Sequence, residues 1–88
     1  MSLTFPNQSR SYDESNRRIR FSGYDGMFEV KFFLELDALA KVHTGPITGE
    51  REYLSAFDAS RKKILAGAEK AYGRSQKTMC TLTLADFS

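Results

Sequence analysis

Few residues in this chain could do covalent or metal chemistry. His43 is its only histidine and Cys80 its only cysteine, so a Ser-His-Asp or Cys-His nucleophilic device would have to be built on them. Their settings argue against it. His43 falls in the last turn of a short helical pattern, where histidine caps carbonyls and complements the helix dipole. Cys80 alternates with Leu82 and Leu84, the placement of a small buried hydrophobe. With one of each, no multi-cysteine or multi-histidine metal set is possible. Asp13, Glu14 and Asp25 read more simply as surface carboxylates than as a hard-cation site. Gly23 and Gly26 flank a turn, and neither a phosphate-loop lysine nor a dinucleotide pattern follows them. The expectation is a protein that is not an enzyme and carries no metal and no cofactor.

Binding chemistry is better represented. Arg18, Arg20, Lys31 and Phe33 combine three cations with one aromatic ring, enough to neutralise phosphates and stack a base as sheet-based RNA readers do. Those readers usually present two or three aromatics, whereas here Phe33 stands alone with Glu29 beside it. The competing reading is an ordinary solvated face with an Arg18-to-Phe33 cation-π contact. A second basic group, Arg61, Lys62, Lys63, Lys70 and Arg74, fans around a helix and reads as a solubilising surface.

The elements that position these residues follow from periodicity. From Arg18 to Leu34 two alternating runs face each other across Asp25-Gly26. Ile19 and Phe21 alternate with Arg18, Arg20 and Ser22; Phe28, Val30, Phe32 and Leu34 alternate with Glu29, Lys31 and Phe33. A period of two predicts a β-hairpin with one buried face. A two-residue Asp25-Gly26 loop, favoured by that turn signal, pairs Phe21 with Val30 and sets Arg20 against Lys31. A four-residue loop from Gly23 to Gly26 pairs Phe21 with Phe28. Both keep the apolar residues on one side, and a three-residue loop does not. Arg18, Arg20, Ser22, Lys31, Phe33, Thr81 and Thr83 then share the open face. If exposed there, Phe33 and Met79 make an apolar spot that favours a homodimer or a protein partner.

Leu3 to Phe5 is a candidate edge strand ended by Pro6, and residues 7–17 are polar and turn-forming. Leu36, Leu39, Ala40 and His43 follow helical spacing, with Gly45-Pro46 as the stop. Thr48 offers an N-cap to a long amphipathic helix from Glu50 to Tyr72, carried by Tyr53, Phe57, Ile64, Ala68 and Tyr72, with Gly73 just past its end. Gly67 weakens its interior. Thr78 to Leu84 alternates again as a third strand. The predicted core is Ile19, Phe21, Phe28, Val30, Phe32, Leu34, Phe57, Ile64, Cys80, Leu82 and Leu84.

Length and composition agree with this plan. At 88 residues and 41% hydrophobic content the chain makes one domain spanning 1–88, which buries roughly 60 to 65% of its unfolded surface, so a partner subunit would add stability. A net charge of +2, from 13 basic and 11 acidic residues, is too small to announce a nucleic-acid or membrane partner. The single cysteine, the lack of a signal-peptide pattern and the lack of an apolar run near 20 residues lead to the expectation of a soluble cytoplasmic protein.

The start Leu-Thr-Phe-Pro-Asn, the block Arg17-Arg18-Ile19-Arg20-Phe21 with Gly23 and Asp25-Gly26, the Asp37-Ala38-Leu39 helix start, and the later Phe57, Arg61, Ile64, Ala68 and Tyr72 resemble a small bacterial family, domain of unknown function 1488. The resemblance covers nearly the whole chain and is strongest over residues 3–39. It implies a small α+β protein of bacterial origin and brings no assigned activity, substrate or site residues. The combined reading is an α+β fold of order β-β-α-α-β. Its antiparallel or mixed sheet has at least three strands and is covered on one face by a long amphipathic helix and a short one. The expected role is a non-enzymatic binding or protein-interaction module, with nucleic-acid binding through the open face as the alternative.

Overall fold

The computed structural model describes residues 3–6, 9–43, 48–75 and 77–87. Strands β1 (Leu3–Thr4), β2 (Arg10–Asp13), β3 (Arg18–Asp25) and β4 (Phe28–Glu35) precede helices α1 (Leu36–Val42), α2 (Glu50–Ala59) and α3 (Arg61–Ser75). Strand β5 (Met79–Leu82) and a 3₁₀ turn (Leu84–Phe87) close the chain. The sheet is mixed. β1 and β2 share one edge of β3, β3 and β4 form the antiparallel hairpin, and β5 joins β4 in parallel at the far edge. The fold is α+β, as the periodicity predicted, with five strands and with three helices on one face among the described residues.

The hairpin keeps the predicted parity and corrects both loop readings. Asp25 pairs with Phe28, Phe21 with Phe32 and Ile19 with Leu34, so the loop is Gly26-Met27. Gly26 has φ 63° and Met27 does not share the positive φ; glycine at the first of two loop positions is what a type II′ turn requires. Charge favours this register. Arg20 now faces Phe33, Lys31 faces Ser22 and Arg18 faces Glu35, which removes the like-charge Arg20–Lys31 pair of the Asp-Gly loop.

The core lies between the sheet and the helices. Phe21 and Phe32 stack at 5.2 Å, and Phe57 of α2 meets Phe21 edge-on at 5.1 Å. Around them Ile19, Val30, Leu34, Leu39, Ile64 and Leu82 are fully buried and Cys80 nearly so. Two predicted core residues lie outside it. Phe28 is 72% exposed because it flanks the turn beyond the reach of the helices, and Leu84 is 49% exposed because the chain leaves the sheet after Leu82.

Further differences have local causes. The polar segment 7–17 contains β2, whose inward side chains Arg10 and Tyr12 reach Asp58 and the Tyr53 ring instead of showing an apolar alternation. The predicted long helix is two. Ser60, at φ −107° and ψ 14°, breaks helical geometry between α2 and α3; its buried hydroxyl lies 3.5 Å from the Val42 carbonyl and from His43 Nδ1. The α2 N-cap is Gly49 and not Thr48, and α3 continues through Gly73 to Ser75. The Gly45-Pro46 stop lies outside the described residues. Gly67 has a packing role, since a Cβ there would stand 2.5 Å from the Phe87 ring of the 3₁₀ turn. Among the described residues no helix is long and apolar enough to cross a membrane.

Candidate binding face

Strand alternation and register together place Arg18, Arg20, Lys31 and Phe33 on the sheet face opposite the helices. Arg20 stands directly across from Phe33, and Lys31 precedes Phe33 by two residues on β4. The row runs on to Ser11 of β2 on one side and Thr81 of β5 on the other. Ser9, Ser22, Glu29 and Met79 rim an open depression of about 370 Å³ in this face, with Arg20, Lys31 and Phe33 also lining it.

The four residues are not equivalent. The Arg18 guanidinium lies 3.9 Å from the Phe33 ring centroid, the cation-π contact of the competing sequence reading. The ring is only 7% exposed, which corrects the expectation of an exposed Phe33. Arg18 is itself held, its Nε donating to Asp13 Oδ2 at 3.2 Å. Asp13 also accepts from the Asn16 side chain at 2.9 Å. The Asn16 bond is the largest influence on the Asp13 carboxyl; burial pushes it up, and the Arg18 bond adds to the Asn16 bond to leave it below the usual 3.8. Arg20 and Lys31 are exposed and form no ion pair among the described residues. Sequence reasoning missed Ser11, and Asp13 as the partner of Arg18, because it missed β2.

The sequence profile of the family described as protein of unknown function, DUF1488, matches residues 3–84. The chain belongs to the DUF1488 family. Neither the comparison with curated proteins nor that with solved structures gives a match. In this DUF1488 chain the match takes in all five strands and all three helices, and therefore the whole open face.

The other candidates are engaged elsewhere. His43 caps α1, its backbone N–H donating to the Leu39 carbonyl at 3.0 Å. Cys80 is buried with its Sγ 3.6 Å from the Lys77 carbonyl oxygen. Asp25 accepts a 2.7 Å hydrogen bond from the Tyr72 hydroxyl, which holds the Tyr72 pKa above its usual 10.0. In the second basic group, Arg61 pairs with Asp58 and Arg74 with Asp86. Burial raises the Asp58 pKa, and hydrogen bonds from Arg10 and Arg61 more than offset this and leave it below 3.8. Among the described residues no three His, Cys, Asp or Glu side chains converge to hold a metal.

Proposed function

We propose that this DUF1488 protein is a non-enzymatic interaction module whose open sheet face holds an acidic segment of a protein partner. The observation that carries this reading is the pair Arg20 and Lys31, exposed and without carboxylate partners among the described residues, beside a depression rimmed by hydroxyls. Guanidinium and ammonium groups bind carboxylates through charge-assisted hydrogen bonds, and Ser22 and Thr81 offer the neutral donors and acceptors that fix a backbone. Glu29 is the one carboxylate lining the depression.

The same two cations would neutralise phosphates, which keeps single-stranded nucleic acid as the alternative ligand. What favours the peptide is the sealing of the Phe33 ring between Arg20 and Lys31, because sequence-tolerant strand binding relies on several aromatic faces open to bases and only half-buried Tyr24, across from Glu29, is left on this face among the described residues. Calorimetric titration with a glutamate-rich peptide and with a single-stranded oligonucleotide separates the two. The peptide is expected to bind, more weakly as salt rises, and to lose binding in the Arg20→Glu/Lys31→Glu protein. Binding of the oligonucleotide alone would replace this reading with the nucleic-acid one, and binding of neither at low salt would overturn both.

A further inference from the structure

The parallel ladder between β4 and β5 fixes which backbone groups of β5 are used. The Lys31 N–H donates to the Thr78 carbonyl at 2.8 Å, and Lys31 is in register with Met79. In a parallel pair the bonds then run from Lys31 and Phe33 to Thr78, Cys80 and Leu82, so the N–H and C=O groups of Met79 and Thr81 point away from β4. They face the outer edge of the sheet. No hydrogen bond to these groups is found among the described residues, and a depression of about 460 Å³ runs alongside, lined by Ala71, Lys77 and the Arg74–Asp86 ion pair as well as by the strand itself.

Edge strands of soluble proteins are usually blunted by a charge, a proline or a bulge. The opposite edge carries such devices, since β1 ends before Pro6 and β2 carries Arg10 and Asp13. From Thr78 to Thr83 the β5 segment has no charge, no proline and no glycine, and its Met79 side chain is 59% exposed. The outward groups are also symmetric about Cys80. We propose that β5 pairs antiparallel with β5 of a second copy across a two-fold axis at Cys80, joining the two sheets into one.

In this register Met79 of each copy exchanges both main-chain hydrogen bonds with Thr81 of the other, so all outward groups of both strands are paired. Thr78 meets Leu82 and Lys77 meets Thr83, so no like charges face each other. The two Met79 side chains become diagonal neighbours on the open face, within reach of one another. The two Cys80 residues form the central non-hydrogen-bonded pair, whose Cα atoms stand about 4.5 Å apart in such ladders. That spacing permits a disulfide. The pairing uses the main chain of β5 and neither Arg20 nor Lys31, so the Arg20→Glu/Lys31→Glu protein separates it from the acidic-segment reading.

Light scattering on the full chain over a range of concentrations tests it, together with Thr81→Pro and Thr81→Lys. Proline at Thr81 removes an N–H that the monomer's own ladder does not use, a position where edge strands tolerate it; lysine introduces the edge charge that β5 lacks. The expected result is a reversible wild-type dimer whose dissociation constant rises roughly tenfold to a hundredfold in Thr81→Pro, with two of four hydrogen bonds lost. Thr81→Lys should weaken it as well. Circular dichroism should show both variants folded, and Arg20→Glu/Lys31→Glu should leave the dimer intact. Oxidation of the wild type by diamide, which takes up the two protons and two electrons released by a pair of thiols, should give a covalent dimer through Cys80. A wild-type chain that stays monomeric at every concentration overturns the proposal. So does a dimer indifferent to both Thr81 substitutions, or one that yields no Cys80 cross-link.

Discussion

The Arg18 guanidinium carbon stands 3.9 Å from the Phe33 ring centroid, and the same side chain is tied to Asp13 at 3.2 Å. This three-residue stack covers the Phe33 ring and leaves Arg20 and Lys31 as the exposed cations beside it. Arg18→Ala is expected to lower stability by about 1 to 2 kcal/mol, the combined scale of a surface cation-π contact and a partly exposed ion pair. It should also uncover the ring. Urea denaturation measures the first effect and increased binding of an apolar dye the second.

Acid stability should depend on Asp13 and Asp58. Both carboxyls sit below the usual 3.8 in the folded chain, so the native state gains from keeping them ionised. That gain is complete above 3.8 and is lost as pH falls through the lower folded-state values. Melting temperature followed from neutral to acid pH should fall less in Asp13→Asn and Asp58→Asn than in the wild type.

At the alkaline end the sign reverses. Tyr72 is held above 10.0 first by its hydrogen bond to Asp25 and then by burial, so its contribution is complete below 10.0 and is lost as pH rises through the raised folded-state value. Tyr72→Phe keeps the ring in the core and removes the bond that ties α3 to the end of β3. Its stability should change less across that alkaline limb than the wild type's.

Two glycines of one helix should respond oppositely to alanine. A Cβ on Gly73 would have nothing within 4 Å of it, whereas a Cβ on Gly67 would meet the Phe87 ring at 2.5 Å. Gly73→Ala is expected to stabilise by about 0.5 to 1 kcal/mol through helix propensity. Gly67→Ala should destabilise by about 1 to 3 kcal/mol through overpacking, and Phe87→Ala in the same chain should relieve that clash. Thermal denaturation of the set decides the signs.

The sequence carried the sheet's sidedness because Ile19, Phe21, Val30, Phe32 and Leu34 alternate strictly, and any register of the same parity buries them together. The register itself was not legible from the Asp25-Gly26 signal. It depends on placing Arg20 and Lys31 opposite uncharged residues and on Gly26 supplying the positive φ. β2 was hidden because its inward residues, Arg10 and Tyr12, find polar and aromatic partners on α2, a helix distant in sequence. The four candidate residues did fall on one face. That Phe33 is sealed there depends on Asp13, which joins the face only once β2 is known.

The most direct test of the acidic-segment reading is residue-resolved NMR of the isotope-labelled chain titrated with a glutamate-rich peptide at low salt. The largest amide and side-chain shifts are expected to cluster at Arg20, Ser22, Lys31 and Thr81, with the helices unaffected, and Arg20→Glu/Lys31→Glu is expected to abolish them. Shifts confined to the Lys62, Lys63 and Lys70 surface of α3, or no shifts at all, would contradict it.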